Sequence, residues 1–453
     1  NFISVAKHKN QAVNMGLFSR FFEVKNKLPD PEIQFGRFSD TYKDEAKYKS
    51  WQKAVDLFDN EKFLDSYEYL LDFLKDDQRK NVTFTRKRGK LAFSLFQGSK
   101  VIIGEADFRH FMAEARIVRA PQPSLGLMRK VLEKNFDLRY SRYTLDDENN
   151  LCLRFDTFVE DGSPQKIYQA LKELATEADR KDDVLLTEFS ELKPIDFNHT
   201  RQLPAKEKKI KYRYFHENAL KVIDEIDHGK LNAYVYPGGV SFLILDYLYR
   251  VDYLIKPEGK TMETVLECHE LFFNDNFLTV HEKNKEITGK IREFTKIEAA
   301  DFNKELYEVN STFGLSMPEG HQRFVEIVDA QINDFDWYYQ NKYMAYANAI
   351  CGYMAGYSLY SYALPEPTRA LLHLYYMISD NEYFTSLGFG ETYLKNGVPD
   401  KKAITTAIRE IIKSYSDGYS GLIADTKILL YDDLAIFSKS YMVMVRNLNY
   451  TED

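Results

Sequence analysis

The spacing of apolar residues changes within the first half of the chain, and the change predicts a helical hairpin followed by a sheet. Over 46–77 apolar side chains recur every three or four residues, and Asp59-Asn60 divides the stretch into two helices. Over 91–95 and 111–117 they recur at every second residue, which is typical of strands that bury one face. An apolar run at 101–103 predicts a further strand between these two.

The pattern then predicts a helix, two more strands and a last helix. Ser124 suits the N-cap of the first helix, which extends to Asn135. Strands over 138–145 and 151–158 follow, and Ser163-Pro164 places a capping residue and a proline at the start of the closing helix. The whole stretch is therefore predicted to form one α+β unit.

This layout resembles that of the YbjN family and of the type III secretion chaperones, over residues 81–186 only. The similarity lies in the hydrophobic layout of four segments, 128–135, 140–143, 151–155 and 175–179. The resemblance implies a chaperone-like α/β sandwich and a function in binding other proteins, with no catalytic residues to carry over. It also makes a homodimer possible, because secretion chaperones often act as dimers.

The rest of the chain is divided by changes in pattern. The predicted domains are an N-terminal extension over 1–45, the helical hairpin with the chaperone-like domain over 46–190, a linker over 191–213, a small α/β unit over 214–280 and a helical domain over 281–453. The linker is predicted from its prolines and from a basic cluster between Lys206 and Arg213. The fold class is therefore α+β, with a mainly helical C-terminal domain.

Within the predicted small α/β unit, a glycine-rich turn separates apolar runs. Tyr236-Pro-Gly-Gly239 suits a turn with proline at its second position and glycine at its third. It would join strands over 231–236 and 240–247, with a third strand over 250–255. In the helical domain, helix starts are predicted at the capping pattern of 316–319, at Pro365 to Pro367 and at Val398 to Asp400, and a last helix over 434–448.

The segment from Tyr343 to Leu364 carries no charged residue and combines a tyrosine ridge with a stripe of small residues. The candidate partner-binding residues are Tyr343, Tyr346, Tyr353, Tyr357, Tyr360, Gly352 and Gly356. Tyrosine is favoured at protein interfaces, and small residues let another helix approach closely. One interpretation is therefore a groove or a dimer seam, and the other is a central helix of the C-terminal bundle, buried on most sides. The many tyrosines argue against a membrane span.

Composition limits the chemistry of the chain. A net charge of −8 over 453 residues argues against nucleic-acid binding, which needs a basic surface. The three cysteines form no pair with metal-ligand spacing, and a reducing compartment such as the cytoplasm is expected. Glu267-Cys-His-Glu270 matches no metal-ligand pattern, with His269 expected on the apolar face of its helix and Cys268 elsewhere. No catalytic residue, metal or cofactor is predicted.

The leading hypothesis is a bacterial protein that is not an enzyme and that binds a protein partner or client, as a chaperone or adaptor does. No nucleic-acid partner is expected, and membrane association is not favoured. Two alternatives stay open: an enzyme of unrecognised family with a pocket between domains, and a structural scaffold that assembles through its C-terminal helices.

Overall fold

The computed structural model describes residues 30–41, 43–76, 79–195, 200–275, 277–419 and 421–450. These residues divide into two units. Unit 1 comprises 38–202 and 307–314, and unit 2 comprises 30–37, 203–306 and 315–450. The predicted extension over 1–45 lies mostly outside the described residues.

Unit 1 begins with the predicted helical hairpin. Helices α1 Glu45–Asp59 and α2 Phe63–Leu74 follow one another with a break at residues 60–62. The side chain of Asp44 caps α1 by accepting a hydrogen bond from the backbone N–H of Lys47 at 2.8 Å. The predicted apolar face of α2 is buried, since Tyr67 and Leu74 have no exposed surface. The hairpin is therefore confirmed.

An antiparallel sheet follows. Its strands are β1 Val82–Lys87, β2 Lys90–Gln97, β3 Lys100–Ala106, β4 His110–Arg119, β5 Arg142–Leu145 and β6 Asn150–Phe158. They pair in the order β1-β2-β3-β4-β6-β5, and a short strand, β7 Lys193–Pro194, pairs with the end of β4. Helix α3 Leu125–Asp137 lies between β4 and β5 in the chain, and α4 Pro164–Glu188 follows β6. From β2 to α4 this order of elements is the predicted one, whereas β1 and β7 were not among the predicted strands.

Helix α4 covers one face of the sheet. Its apolar side chains at Ile167, Leu171 and Leu174 have no exposed surface and join one core with the inward residues of β2, β4 and β6. The opposite face carries ion pairs, including Arg154 with Glu114 at 2.6 Å. A sheet with one buried and one polar face explains why the alternation of side chains predicted these strands.

A distant segment of the chain completes unit 1. Strand β9 Tyr307–Glu308 pairs with β8 Arg201–Gln202, and Phe313 is 1% exposed within the core. The side-chain oxygen of Gln97 accepts the backbone N–H groups of Thr312 and Phe313 at 3.1 and 2.9 Å. Eight residues from the second half therefore belong to unit 1, which the predicted domain boundaries did not include.

Unit 2 is mainly helical. Its helices are α5 Ala205–His228, α6 Pro237–Arg250, α7 Gly259–Phe273, α8 Val280–Phe294, α9 Ala299–Phe302, α10 His321–Gln331, α11 Asp334–Gln340, α12 Met344–Ser361, α13 Glu366–Ser379, α14 Asn381–Leu387, α15 Lys401–Ser414 and α16 Leu434–Arg446. Two-residue strands are β10 Met317–Pro318 with β11 Tyr362–Ala363, and β12 Leu394–Lys395 with β13 Val398–Pro399. The predicted starts of α13, α15 and α16 are confirmed.

The strands predicted over 240–247 and 250–255 are wrong. Residues 237–250 form α6, and Val251–Ile255 continue it as a turn of π-helix. Most of α6 is buried, so its apolar residues lie on every side, and such a run has no period that separates a buried strand from a buried helix. Pro237 occupies the first turn of a helix and does not form a hairpin turn. The strand predicted over 231–236 is also absent, because these residues form a loop and turns.

Two further predictions need correction. The second half of the predicted linker forms the start of α5, where Lys211 is 3% exposed and pairs with Glu207 at 3.0 Å. The capping pattern at 316–319 does not start a helix, because Met317–Pro318 pair with β11 and α10 begins after Gly320. Both sequences are locally compatible with either structure, and the surrounding packing decides between them.

No helix within the described ranges is long and apolar enough to cross a membrane, and this includes α12.

Candidate protein-binding surface

The stripe of small residues on α12 lies against α6 of the same unit. A Cβ atom added to Gly352 would lie 2.1 Å from Oδ1 of Asp246, and one added to Gly356 would lie 2.6 Å from the Cβ of Tyr249. Distances this short require glycine at both positions. The close helix approach that the stripe predicted therefore occurs within the chain, as expected for a central helix of the bundle.

A buried ion-pair network lies beneath this contact. Arg250 of α6 donates from Nε to Asp246 at 2.9 Å and pairs with Asp380, which also accepts the hydroxyl of Tyr214 at 2.5 Å. Burial raises the pKa of Asp246 to about 6, although the neighbouring Arg250 acts in the opposite direction. Since each charge in this network has a partner, its arrangement is that of a structural element of the core.

Most of the predicted tyrosines are buried in unit 2. Tyr346, Tyr353 and Tyr360 are 0, 8 and 6% exposed, and the guanidinium of Arg37 lies 4.0 Å from the centre of the Tyr360 ring. Tyr357 is half-buried. Partner binding through these buried side chains stays a prediction, and nothing in the geometry brings them to the surface.

Tyr343, at the start of α12, is half-buried and lies beside a group of more exposed residues. Its ring stacks on that of Trp337 at 5.7 Å, and Trp337 lies 4.7 Å from Tyr236. The exposed fractions of Tyr234, Tyr236 and Trp337 are 77, 38 and 39%. We call this group the aromatic surface and define it as Tyr234, Val235, Tyr236, Trp337 and Tyr343.

The loop that carries Tyr234 and Tyr236 is held by two asparagines. The side-chain oxygen of Asn232 accepts the backbone N–H groups of Tyr234 and Val235 at 3.0 and 3.1 Å. Asn284 of α8 is 4% exposed and donates to the carbonyl oxygen of Pro237 at 2.7 Å. Its own side-chain oxygen accepts the hydroxyl of Ser241 at 2.9 Å. These bonds fix the backbone of the loop against α6 and α8.

The other half of the aromatic surface rests on buried tyrosines. The ring of Tyr338, next to Trp337 on α11, lies at right angles to the indole at 5.0 Å and stacks on Tyr346 at 5.9 Å. Burial raises the pKa of Tyr338, and the nearby Asp334 and Tyr236 act in the same direction. The backbone N–H of Tyr343 donates to the carbonyl oxygen of Tyr338 at 2.9 Å. Trp337 is therefore a surface residue on a rigid aromatic base.

The side chains of the aromatic surface are mostly apolar, and several carry a hydroxyl group. Its side chains offer apolar area, hydroxyl groups and one indole N–H, and charged residues lie at its edge. Asp336 pairs with Lys439 at 2.6 Å, and Lys342 lies 5.6 Å from the centre of the Tyr339 ring. In the part of the chain that the structure describes, no group of three or more His, Cys, Asp and Glu residues could hold a metal ion.

The segment around Cys268 corrects one expectation. Cys268 is fully buried, whereas His269 is half-buried with Nδ1 at 2.9 Å from the hydroxyl of Tyr249. Burial lowers the pKa of His269 to about 4, and Arg37 adds to the effect. Burial also raises the pKa of Cys268 to about 12, so its thiol stays protonated and unreactive.

Sequence reasoning found Tyr343 and missed the rest of the aromatic surface. Tyr234 and Tyr236 were assigned to a strand, and Trp337 was not singled out. One signal was present: Trp337 is one of only two tryptophans in the chain and lies six residues before Tyr343. Tryptophan is the residue type most enriched among those that dominate binding at interfaces.

Two comparisons of the sequence with known proteins found no relative. No family model matches the chain, and a search of the curated proteins found no match. The resemblance of residues 81–186 to YbjN and secretion chaperones therefore stays a prediction from their hydrophobic layout.

Proposed function

We propose that this protein binds another protein, as an adaptor or chaperone does, and that the aromatic surface of unit 2 provides the centre of the interface. The observation that carries the proposal is the contact between Tyr236, Trp337 and Tyr343 at the surface. Tyrosine and tryptophan are enriched at the centres of protein interfaces, where a few residues supply most of the binding free energy.

Preorganisation supports the same proposal. Aromatic side chains that are already held by ring contacts and by the bonds of Asn232 and Asn284 lose little conformational entropy on binding. The expected partner presents an apolar segment, either extended or helical, whose side chains cover the indole and the tyrosine rings. The alternative of a scaffold that assembles through Gly352 and Gly356 has less support, because both glycines lie against α6.

The experiment compares two triple variants as baits in the native cell lysate. The test variant carries Tyr234→Ser, Tyr236→Ser and Trp337→Ser. The matched control carries Tyr69→Ser, Phe108→Ser and Phe158→Ser, which remove exposed rings of unit 1 with exposed fractions of 40, 76 and 59%. Light scattering and circular dichroism establish that both variants fold.

A protein recovered in stoichiometric amount with the unmodified bait is then purified, and its affinity for the unmodified protein and for both variants is measured. We expect the test variant to bind it at least about tenfold more weakly, which corresponds to about 1.4 kcal/mol. Equal binding by the test and unmodified proteins would contradict the proposed surface, and loss of binding in the control alone would place the interface on unit 1.

A further inference from the structure

A cavity of about 290 Å³ lies at the edge of the unit 1 sheet, beside a bulge in β4 between Arg116 and Val118. Its polar lining consists of Arg116, Arg119, Glu148, Asn150 and Lys193. Bulges redirect side chains at sheet edges and often lie beside functional sites. Here the bulge precedes Arg119, the last residue of β4.

The strand pairing places two cations side by side in this cavity. Arg119 lies directly opposite Lys193 in the pairing of β4 with β7, and opposite Asn150 in the pairing of β4 with β6. Like charges at directly opposite positions of neighbouring strands destabilise a sheet. Arg119 and Lys193 therefore lie opposite one another although the repulsion between their charges destabilises the pairing of β4 with β7.

The third cation is already neutralised. Arg116 lies 3.2 Å from a carboxylate oxygen of Asp146 and 3.7 Å from one of Glu148. Burial acts to raise the pKa of Asp146, but hydrogen bonds from Asn150 and from backbone N–H groups, together with Arg116, hold that pKa below its ordinary value. Both carboxylates are therefore engaged with Arg116.

Arg119 and Lys193 lack such a counter-charge. Nε of Arg119 lies 3.5 Å from the side-chain oxygen of Asn150, which is 1% exposed and fixed by donating to Asp146 at 2.8 Å. Neither Arg119 nor Lys193 forms an ion pair with any residue that the structure describes. Two cations without an ion-pair partner thus meet in a cavity whose three cations and two carboxylates leave a net positive charge, in a chain whose net charge is −8.

We propose that this cavity binds the phosphate group of a small phosphomonoester. A guanidinium beside an ammonium group provides the planar fork and the point charge with which proteins hold a phosphate dianion. The volume lies close to the lower limit of small-molecule sites, about 300 Å³, and therefore suits a small compound. This site is independent of the aromatic surface, which belongs to unit 2.

The first test uses isothermal titration of the full-length protein with glucose 6-phosphate and with sodium sulfate, at pH 7.5 and 5.5. The second pKa of a phosphomonoester is about 6, so binding of the dianion should weaken about fourfold at the lower pH. Among the residues that the structure describes, the charged groups around the cavity are Arg116, Arg119, Asp146, Glu148 and Lys193, and none of these is a histidine. Sulfate binding should not change with pH.

The second test changes the two cations. The variant with Arg119→Gln and Lys193→Gln should bind glucose 6-phosphate at least about tenfold more weakly and melt no lower than the unmodified protein, because a repulsive pair is removed. The matched control is Arg142→Gln, an exposed arginine of the same sheet that pairs with Asp156 outside the cavity, and its binding should be unchanged. Undiminished binding by the double variant would overturn the proposal. Sodium acetate is titrated alongside, and equal binding of glucose 6-phosphate, sulfate and acetate would also overturn the proposal, because it would indicate adventitious attraction of anions only.

Discussion

The two units differ in how far the spacing of apolar residues along the chain predicts which residues are buried. In unit 1, the buried Leu91, Phe93 and Leu95 of β2 alternate with more exposed residues, so the buried face is the one that the sequence pattern indicates, although this core also holds Lys100 at 2% exposed. In unit 2, Asp252 and His373 are both 2% exposed, and the buried Arg250 lies between two aspartates. The buried charges of unit 2 are paired with residues far away in the chain. The spacing of apolar residues within a short segment therefore does not predict them.

The difference has a consequence for stability. Removing one apolar contact from unit 1 leaves a cavity, whereas removing one charge from the network of unit 2 leaves other charges buried without partners. Because Trp51 lies in unit 1 and Trp337 in unit 2, Trp→Phe substitution at either position lets the fluorescence of the other follow the unfolding of one unit alone.

The largest expected effect comes from Arg250→Met, which leaves Asp246 and Asp380 in the core without their cation. Loss of one partner from a buried pair costs about 3–5 kcal/mol in the free energy of unfolding. Urea denaturation of unit 2, followed by Trp337 fluorescence in a Trp51→Phe background, measures it. The control is Arg292→Met in the same unit, whose partner Asp227 lies at the surface, and whose cost should stay under about 1 kcal/mol. A similar small cost for both variants would show that the network contributes little.

A smaller loss is expected from Gly352→Ala. The added Cβ would overlap Oδ1 of Asp246, and overpacking of this kind costs about 1–3 kcal/mol. The matched control is Gly289→Ala, on the exposed side of α8, where an added Cβ meets no atom within 4 Å. Alanine is the better helix former, so the control should gain up to about 1 kcal/mol. If both variants were stabilised, the contact between α6 and α12 would be looser than the distances indicate.

The next effect depends on pH. His373 is fully buried with Nδ1 at 3.0 Å from the hydroxyl of Tyr253, and burial lowers its pKa to about 3. As pH falls below 6.5, His373 becomes protonated in the unfolded state but stays neutral in the folded state. Unit 2 should therefore lose about 2 kcal/mol of stability between pH 6.5 and 5 through this group. His373→Gln should remove that part of the loss.

Comparing the two pH curves isolates His373 from its neighbours. Protonation of Asp246, whose pKa is about 6, acts in the opposite direction, since the buried acid is more easily kept neutral as pH falls. Its contribution is common to both proteins and cancels in the difference. Parallel curves for the two proteins would contradict the assignment to His373.

The smallest effect tests a local signal in unit 1. The side chain of Ser163 accepts the backbone N–H of Lys166 at 3.3 Å and caps α4. Ser163→Ala should cost about 1 kcal/mol, measured through Trp51 fluorescence in a Trp337→Phe background. Ser190→Ala serves as the control and should be neutral, because Ser190 lies beyond the end of α4, where it caps no helix. Equal stability of the two variants would show that the proline at the first helical position is sufficient.

Much of the fold could be predicted because the signals that start helices act between residues that are close together in the chain. Ser124, Ser163 and Asp400 cap helices through their own backbone neighbours, and proline at 164 suits a first helical turn. These signals depend on a few consecutive residues. The strands predicted within residues 237–255 are wrong because an apolar stretch that is buried on all sides has no hydrophobic period that distinguishes a strand from a helix.

The candidate surface was only partly predictable. Tyr343 was identified from the tyrosine spacing of α12, but its neighbours Trp337 and Tyr236 come from a different helix and from a loop over 100 residues earlier. The same spacing also selected Tyr346 and Tyr360, which are buried. Helical spacing shows which residues share a face, and it does not show whether that face meets solvent or another helix.

The sequence by itself determined the helical hairpin, the sheet and helices of residues 81–186, and the starts of several C-terminal helices, because period and capping act over short distances. The tertiary structure alone decided that residues 307–314 join unit 1, that Gly352 meets Asp246, and that Arg119 faces Lys193. Each of these depends on residues far apart in the chain, whose approach follows from the packing of the whole unit and leaves no periodic signal.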